Sequence, residues 1–264
     1  MKILVIGDVF GETGRRAIST VLPNLRLKKN IDFVIANAEN VTDCKGLSLK
    51  HYEELMQSGV DFFTMGNHTW SHNDVYNLLK IKSNIIRPYN IVFDSEFSKY
   101  GVGTKVIYLN GNSIRITSLL GQSIRFKNLQ LNPFNQLDEI IKHNDKTDFH
   151  IIDFHAESTS EKNALFYAFK GKVSAIVGTH THVQTADDKI RENTAYITDI
   201  GLTGPTEGVI GANGDHIVNK LRDLTDQFIL HEAKGLFQFC AVILELDEKS
   251  KIVSNIEKIF IYEE

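Results

Sequence analysis

Short apolar runs alternate with longer segments whose apolar residues recur every three or four positions. Lys2 to Gly7, Asp32 to Ala36 and Asp61 to Met65 read as strands bounded by polar residues. Between the first two, Thr13 to about Lys28 places Ala17, Ile18, Val21, Leu22 and Leu25 on one helical stripe. Pro23 sits inside that pattern and predicts a kink or a break. Leu49 to Ser58 reads as a helix stopped by Gly59, and Asn73 to Ile81 as another. Such alternation predicts an α/β sheet with crossover helices. The middle changes character. Val102 to Leu109 and Ser113 to Leu120 are strands joined by Asn110-Gly111-Asn112, a hairpin signal. A short helix from Phe134 to Lys142 leads to the strand Phe149 to Phe154, the helix Ser160 to Phe169 and the strand Val173 to Gly178. Thr194 to Thr198, Phe237 to Leu246 and Ile252 to Tyr262 read as further strands. Gly204 to Gln227 reads as a loop with a short helix. With no repeat or Pro/Gly/Ser linker, residues 1–264 are expected to form one domain with a mixed second sheet.

The composition changes this picture little. A chain of 264 residues, 42% hydrophobic and 23% charged, suits a globular α/β protein. The net charge of -4 gives no basic footprint for nucleic acid, and the cluster Arg26-Leu27-Lys28-Lys29 reads as a basic helix end. Cys44 and Cys240 stand far apart, which excludes a thiolate zinc ribbon and argues against a disulfide scaffold. The apolar start MKILVIGDVFG is too short for a signal peptide, and no run is long enough to span a membrane, so a cytoplasmic location is expected.

The chemistry gathers where the strands end. Asp8 follows the first strand, Asn37-Ala38-Glu39-Asn40 the second and Gly66-Asn67-His68 the third. His155 closes the strand from Phe149, and Val177-Gly178-Thr179-His180-Thr181-His182 runs from a strand into two histidines. If extended geometry persists that far, His180 and His182 project the same way. In α/β sheets, ligands bind beyond the carboxyl ends of the strands. Taken singly, each residue has a plainer reading: Asp8 as a helix cap, Glu39 as a surface acid, Asn40 and Asn67 as turn residues, His68 as a core histidine. Their repetition at one structural place points to a metal centre instead. His150 opens its strand on the opposite rim and reads as structural. His51, His72, His143, His216 and His231 fall on helices or loops and stay outside the set.

Asp8, Glu39, Asn40, Asn67, His155, His180 and His182 offer seven ligands, too many for one tetrahedral zinc. Two ions sharing a carboxylate fit better, with Glu39 as the bridge, and ions roughly 3.5–4 Å apart are the usual clamp for phosphoryl transfer. An imidazole-rich set favours transition metals over magnesium or calcium. Iron is expected first, with manganese or zinc as alternatives.

These residues resemble the motif blocks of the calcineurin-like metallophosphoesterases. The longer blocks Asp8-Val9-Phe10-Gly11, Gly66-Asn67-His68-Thr69-Trp70, Asp153 to Lys162, Gly178 to Thr185 and Thr198 to Pro205 resemble the YmdB-like phosphodiesterases, a bacterial branch. The resemblance runs from Met1 to about Ile261. It implies an α/β/β/α sandwich of two mixed sheets flanked by helices. Phe10 stands where the superfamily usually has a histidine, and Glu39 where it usually has aspartate. The branch resemblance implies that Asn40 fills the vacant position and Glu39 bridges. One metal would then be held by Asp8, Glu39, Asn40 and His182, the other by Glu39, Asn67, His155 and His180, with His68 as the general acid. Leu202 departs from the branch, where methionine is expected, a volume-conserving change.

The expected function is a metal-dependent phosphodiesterase using a metal-bridging hydroxide, and the resemblance implies 2′,3′-cyclic and secondarily 3′,5′-cyclic mononucleotides as its substrates. The partner is thus a small-molecule phosphodiester, with no membrane; homo-oligomerisation stays open. One alternative is a metal-dependent regulator that binds a cyclic nucleotide with negligible turnover. An amidohydrolase barrel also uses two histidines so spaced, but at its first strand, against the motif order here. Gly11, Thr13, Gly14 and Arg15 open a helix beside Asp8, where backbone N–H groups could meet substrate phosphate or simply form a capped turn. Trp70 reads either as a base-stacking residue or as a wall supporting His68.

Overall fold

A computed structural model describes residues 1–92, 95–124, 126, 129–223 and 230–263. The first half winds as expected from its alternation. Strands β1 (Lys2–Ile6), β3 (Phe33–Asn37), β4 (Phe62–Thr64) and β5 (Ile85–Ile86) are parallel neighbours. Helices α1 (Gly11–Lys29), α2 (Leu49–Gln57) and α3 (Asp74–Ile81) connect them, with the two-residue strand β2 (Asp8–Val9) before α1. β1 is apolar from Ile3 to Ile6 because both its faces are covered there. Leu4 and Ile6 pack against Ala17, Ile18 and Leu22 of α1, while Ile3 and Val5 face the second sheet. Pro23 does not break α1. It lies with Ser19 on the solvent side, where water can take the carbonyl that loses its partner. The helix ends on Asn30 in the left-handed region at φ 54°, whose N–H reaches the Arg26 and Leu27 carbonyls.

The second sheet is built from β6 (Thr104–Leu109), β7 (Asn112–Leu120), β8 (Phe149–His155), β9 (Ala175–Thr179), β10 (Lys189–Arg191) and β11 (Thr194–Ile197), in the order β10-β11-β9-β8-β7-β6. β7, β8, β9 and β11 are parallel, and β6 and β10 are antiparallel edges. The β6–β7 hairpin turns on Asn110 and Gly111, both at positive φ. Helices α4 (Pro133–His143) and α5 (Thr159–Phe169) cover the outer face through Leu137, Leu165, Phe166 and Phe169. The chain then returns to the first sheet. β12 (Leu202–Pro205) and β13 (Phe237–Asp247) complete it beyond β1, and β14 (Ile252–Tyr262) pairs with β13. The first sheet thus reads β2-β12-β13-β1-β3-β4-β5.

Three apolar layers result: helices on the first sheet, sheet on sheet, and the second sheet on its helices. The expected α/β/β/α sandwich is the fold observed, which leaves no place for an amidohydrolase barrel. The sequence pattern missed β2, β5, β10 and β12, each only two to four residues long and too short to show a period. Within Gly204 to Gln227 the short helix is α6 (Gly214–Leu221); residues 224–227 lie outside the described residues. No helix among the described residues is long and apolar enough to cross a membrane.

Gly178 shows how tightly the strand ends are packed. A Cβ there would lie 1.7 Å from the Thr198 carbonyl oxygen. Gly111 has nothing within 4 Å, only a φ of +77°. Urea denaturation should therefore show Gly178→Ala losing more than about 3 kcal/mol, beyond ordinary overpacking. Gly111→Ala should lose only about 1–2 kcal/mol of left-handed strain. Equal losses would contradict this packing.

Candidate metal centre

The carboxyl ends of β1, β3 and β4 in one sheet and of β8 and β9 in the other meet at one edge of the sandwich. Asp8, Glu39, Asn40, His155 and His182 are buried there, and Asn67, His68 and His180 are partly buried. His155 is the hub. Its Nε2 lies 3.0 Å from Asn67 Oδ1, 3.1 Å from His180 Nδ1 and 3.1 Å from Glu39 Oε1. Glu39, His155 and His180 each offer an atom within 4.8 Å of the other two. Asp8 Oδ1 adjoins this group, 3.8 Å from His155 Nδ1 and 3.9 Å from His182 Nε2.

His180 and His182 do not arrive by strand alternation. β9 stops at Thr179, and the two histidines take φ values of 95° and 67°. Residues other than glycine occupy this region at a cost, and tertiary contacts must hold them there. A fully buried ion pair does so. Lys162 Nζ lies 2.8 Å from Asp199 Oδ2 and donates to the Thr179 carbonyl at 2.8 Å. Asp199 Oδ2 also accepts the Thr181 N–H at 3.0 Å and hydroxyl at 2.7 Å, while Oδ1 accepts the Gly201 N–H. The His180 N–H donates to Asp8 Oδ2 at 3.0 Å. The turn that carries both histidines is thus tied on both sides.

Hydrogen bonds settle which ring nitrogen of each histidine keeps its proton. Thr179 donates its hydroxyl to Asp153 Oδ1 at 2.7 Å, so it accepts from His155 Nδ1 at 2.9 Å. The Ile210 carbonyl accepts from His182 Nδ1 at 2.8 Å. Glu157 accepts from His180 Nε2 at 2.9 Å. The inward ring nitrogens are therefore His155 Nε2, His180 Nδ1 and His182 Nε2, and each offers a lone pair whenever its ring is neutral. These meet further lone pairs on Glu39 and Asn67. Lone pairs about 3 Å apart repel unless positive charge lies among them.

The electrostatics make the same demand. Burial would push the His155 imidazole down, yet the Glu39 carboxylate and then Asp8 hold it up at about 9. Burial alone would raise Glu39, but His155 holds it well below the usual carboxylate range. Asp8 is raised to about 6 by burial, against His182 and His155. His180 is pushed down to about 3 by burial and then by the charge on His155. Without a cation, His155 carries the positive charge that the acids require.

Two buried oxygens near the hub, Asp8 Oδ1 and Asn40 Oδ1, have no hydrogen-bond donor among the described residues. Asn40 turns its amide N–H to the Cys44 carbonyl at 2.9 Å, which fixes Oδ1 as the outward acceptor. A buried acceptor without a partner is costly, and a divalent cation satisfies it. The donor set of oxygens and imidazole nitrogens therefore fits transition-metal ions. By contact, Glu39 belongs with Asn67, His155 and His180; it bears on Asp8 through its field. Glu39 Oε2 accepts the His68 N–H at 2.9 Å, placing that residue at the rim. Burial lowers the His68 imidazole, partly opposed by Glu39.

Sequence reasoning passed over the supporting residues. Asp153 Oδ2 accepts from Asn37 Nδ2 and Thr64 Oγ1, and with Thr179, Lys162 and Asp199 it fixes the ligands without touching the centre. An aspartate in the apolar strand FHIIDFH was the available signal. The N–H groups of Glu12 and Thr13 at the start of α1 donate to the Glu232 carboxylate at 2.8 and 2.6 Å, so that anion position is taken from within. Trp70 packs against Phe97 and Phe126 with ring centroids 5.1 and 4.9 Å away, as part of a wall. Cys44 packs with Phe10 and Leu202, and Cys240 lies in the core.

A two-sheet sandwich with such a donor cluster at its strand ends is the architecture of a metallophosphoesterase. The family model described as YmdB-like protein matches residues 4–259, and the chain belongs to that family. The 2′,3′-cyclic-nucleotide 2′-phosphodiesterase of Bacillus subtilis is 39% identical over 264 residues, covering 99% of this chain and 97% of that protein. A crystal structure of a novel phosphatase from Mycoplasma pneumoniae superposes with a TM-score of 0.95 at 43% identity, covering 99% of this chain and 93% of that one. A hypothetical protein from Thermus thermophilus superposes with a TM-score of 0.91 at 34% identity, covering both chains fully.

The buried pair gives a stability test. Asp199→Ala leaves the Lys162 charge uncompensated and should cost about 3–5 kcal/mol in chemical denaturation. A loss below about 1 kcal/mol, the worth of a surface pair, would show that the pair does not hold the turn.

Proposed function

We propose that this chain, a phosphoric diester hydrolase, opens 2′,3′-cyclic nucleotides at a centre of two divalent transition-metal ions, and that residues 1–264 form one catalytic domain. One observation carries the reading: three imidazoles turn a ring nitrogen inward, His155 and His180 beside Glu39 and His182 toward Asp8, next to the unpartnered oxygens of Asp8 and Asn40. Membership of the YmdB-like family and the named activity of the Bacillus subtilis relative support the choice of substrate. Asp8, Glu39, Asn40 and His182 would hold one ion, and Glu39, Asn67, His155 and His180 the other. Iron is the first metal to test, then manganese and zinc. When bound, the ions supply Lewis acidity and a water acidic enough to act near neutral pH.

The protein's own residues do the rest. Asp153 and Thr179 hold His155, and Lys162 and Asp199 hold the turn of His180 and His182, so the ligands need not reorganise when substrate arrives. Water adds to phosphorus, the bond to one ribose oxygen breaks, and a phosphate monoester forms. His68, whose backbone N–H is tethered to Glu39 at the rim, would give a proton to the departing ribose oxygen. 3′,5′-Cyclic nucleotides share the diester and are the second class to assay.

Three experiments test this. Enzyme loaded with iron or manganese should turn over 2′,3′-cyclic AMP many times and lose that activity to a chelator; tight binding without turnover would favour a regulator instead. Elemental analysis of Glu39→Ala should find both ions lost together, and one ion still tightly held would refute the shared carboxylate. His68→Ala should keep its metal but lose roughly 10²–10⁴-fold in kcat on cyclic nucleotide. It should lose much less on bis(p-nitrophenyl) phosphate, whose leaving group needs no proton. Equal losses on both substrates would remove His68 as the acid.

A further inference from the structure

At the opposite rim of the second sheet lies a cavity of about 400 Å³, within the roughly 300–1,000 Å³ range of small-molecule sites. It opens at the start of β8, between the end of α4 and the Gly171–Ser174 turn. His150 of β8 lines it, whereas His155 of the same strand is the hub of the metal centre. Five residues of extended chain separate the two, roughly 16 Å.

The cavity floor carries Arg115, only 6% exposed. One of its N–H groups, on Nη2, donates to the Asp145 carbonyl at 2.9 Å, just beyond the end of α4. Its other N–H groups have no protein acceptor, and its charge forms no ion pair, among the described residues. A buried cation normally has a counter-charge, because burial without one is expensive. The other charges lining the cavity do not supply it. The field of the exposed Asp145 carboxylate offsets the burial of Arg115 only in part. Asp148 is engaged by the Ser113 N–H and hydroxyl and by Lys251, and Glu192 by Lys170. Burial and then the charge of Arg115 push His150 down to about 3, so His150 is neutral and bonds Thr117 Oγ1 at 2.9 Å. Lys146 and Lys172 stand exposed at the wall without an ion pair among the described residues. The hydroxyls of Thr147 and Ser174 line the same space.

We propose that this cavity is a second ligand site, taking the phosphate group of a phosphate monoester no larger than a mononucleotide. The guanidinium supplies the planar fork that matches a phosphoryl oxygen pair, and Lys146 and Lys172 supply the remaining charge for a dianion. A monoester carries nearly twice the charge of a diester at neutral pH, so the site selects monoesters over cyclic diesters. This assignment does not depend on the activity of the metal centre.

The test is calorimetric titration of the metal-loaded protein with inorganic phosphate, then with AMP. The wild type should show two classes of site. Arg115→Gln should remove one class, and Lys172→Glu should weaken that class by at least about tenfold, as expected for loss of a charge-assisted contact. Glu39→Gln should affect only the other class. An Arg115 that merely ties the end of α4 would leave binding indifferent to Lys172→Glu, and that result overturns the proposal. So does a wild-type isotherm with a single class abolished by Glu39→Gln. Should Arg115→Gln fail to fold, Lys172→Glu, on an exposed residue, decides alone.

Discussion

His155 and His180 turn ring nitrogens toward the Glu39 carboxylate in one buried cluster, and beside it His182 turns Nε2 toward Asp8. The rest of the site is built around that convergence. His155 cannot satisfy Glu39, Asn67 and His180 at once with a single proton. Its acidic neighbours Glu39 and Asp8 hold it charged at about 9 despite full burial. Divalent cations would satisfy these donors together, and also the Asp8 and Asn40 oxygens that have no hydrogen-bond donor among the described residues.

Such convergence needs rigid support, and much of the buried polarity is spent on it. Asp153 gathers Asn37, Thr64 and Thr179 from three strands and so sets the face that His155 presents. Lys162 and Asp199 cross-link α5, the end of β9 and the segment before β12. Burying an ion pair is seldom the most stable choice for a core. Here it fixes a turn with two non-glycine residues at positive φ, a conformation that the local chain would not keep alone.

Much of this was legible in the residues, for identifiable reasons. Parallel α/β alternation brings strand ends to one edge, so Asp8, Glu39, Asn67 and His155 were readable as neighbours before any coordinates. His150 was separable from His155 because the two open and close one strand. The pairing of His180 with His182 was anticipated for the wrong reason: side-chain alternation does not operate past Thr179, and a tied turn does the work. Pro23 predicts a kink or a break, and the break does not occur because the proline faces solvent, a side that sequence spacing alone does not reveal. The roles of Lys162, Asp199 and Asp153 were invisible in one dimension, since their partners lie many residues away. Glu232, which caps α1 from far along the chain, escaped for the same reason.

The most direct measurement is anomalous scattering from crystals grown with iron or manganese, recorded on both sides of the metal edge. Two peaks should appear at the strand-end edge, one among Asp8, Glu39, Asn40 and His182, the other among Glu39, Asn67, His155 and His180. A map without anomalous density there, or with His155 still bonded to Glu39 through its own proton, would contradict the central claim.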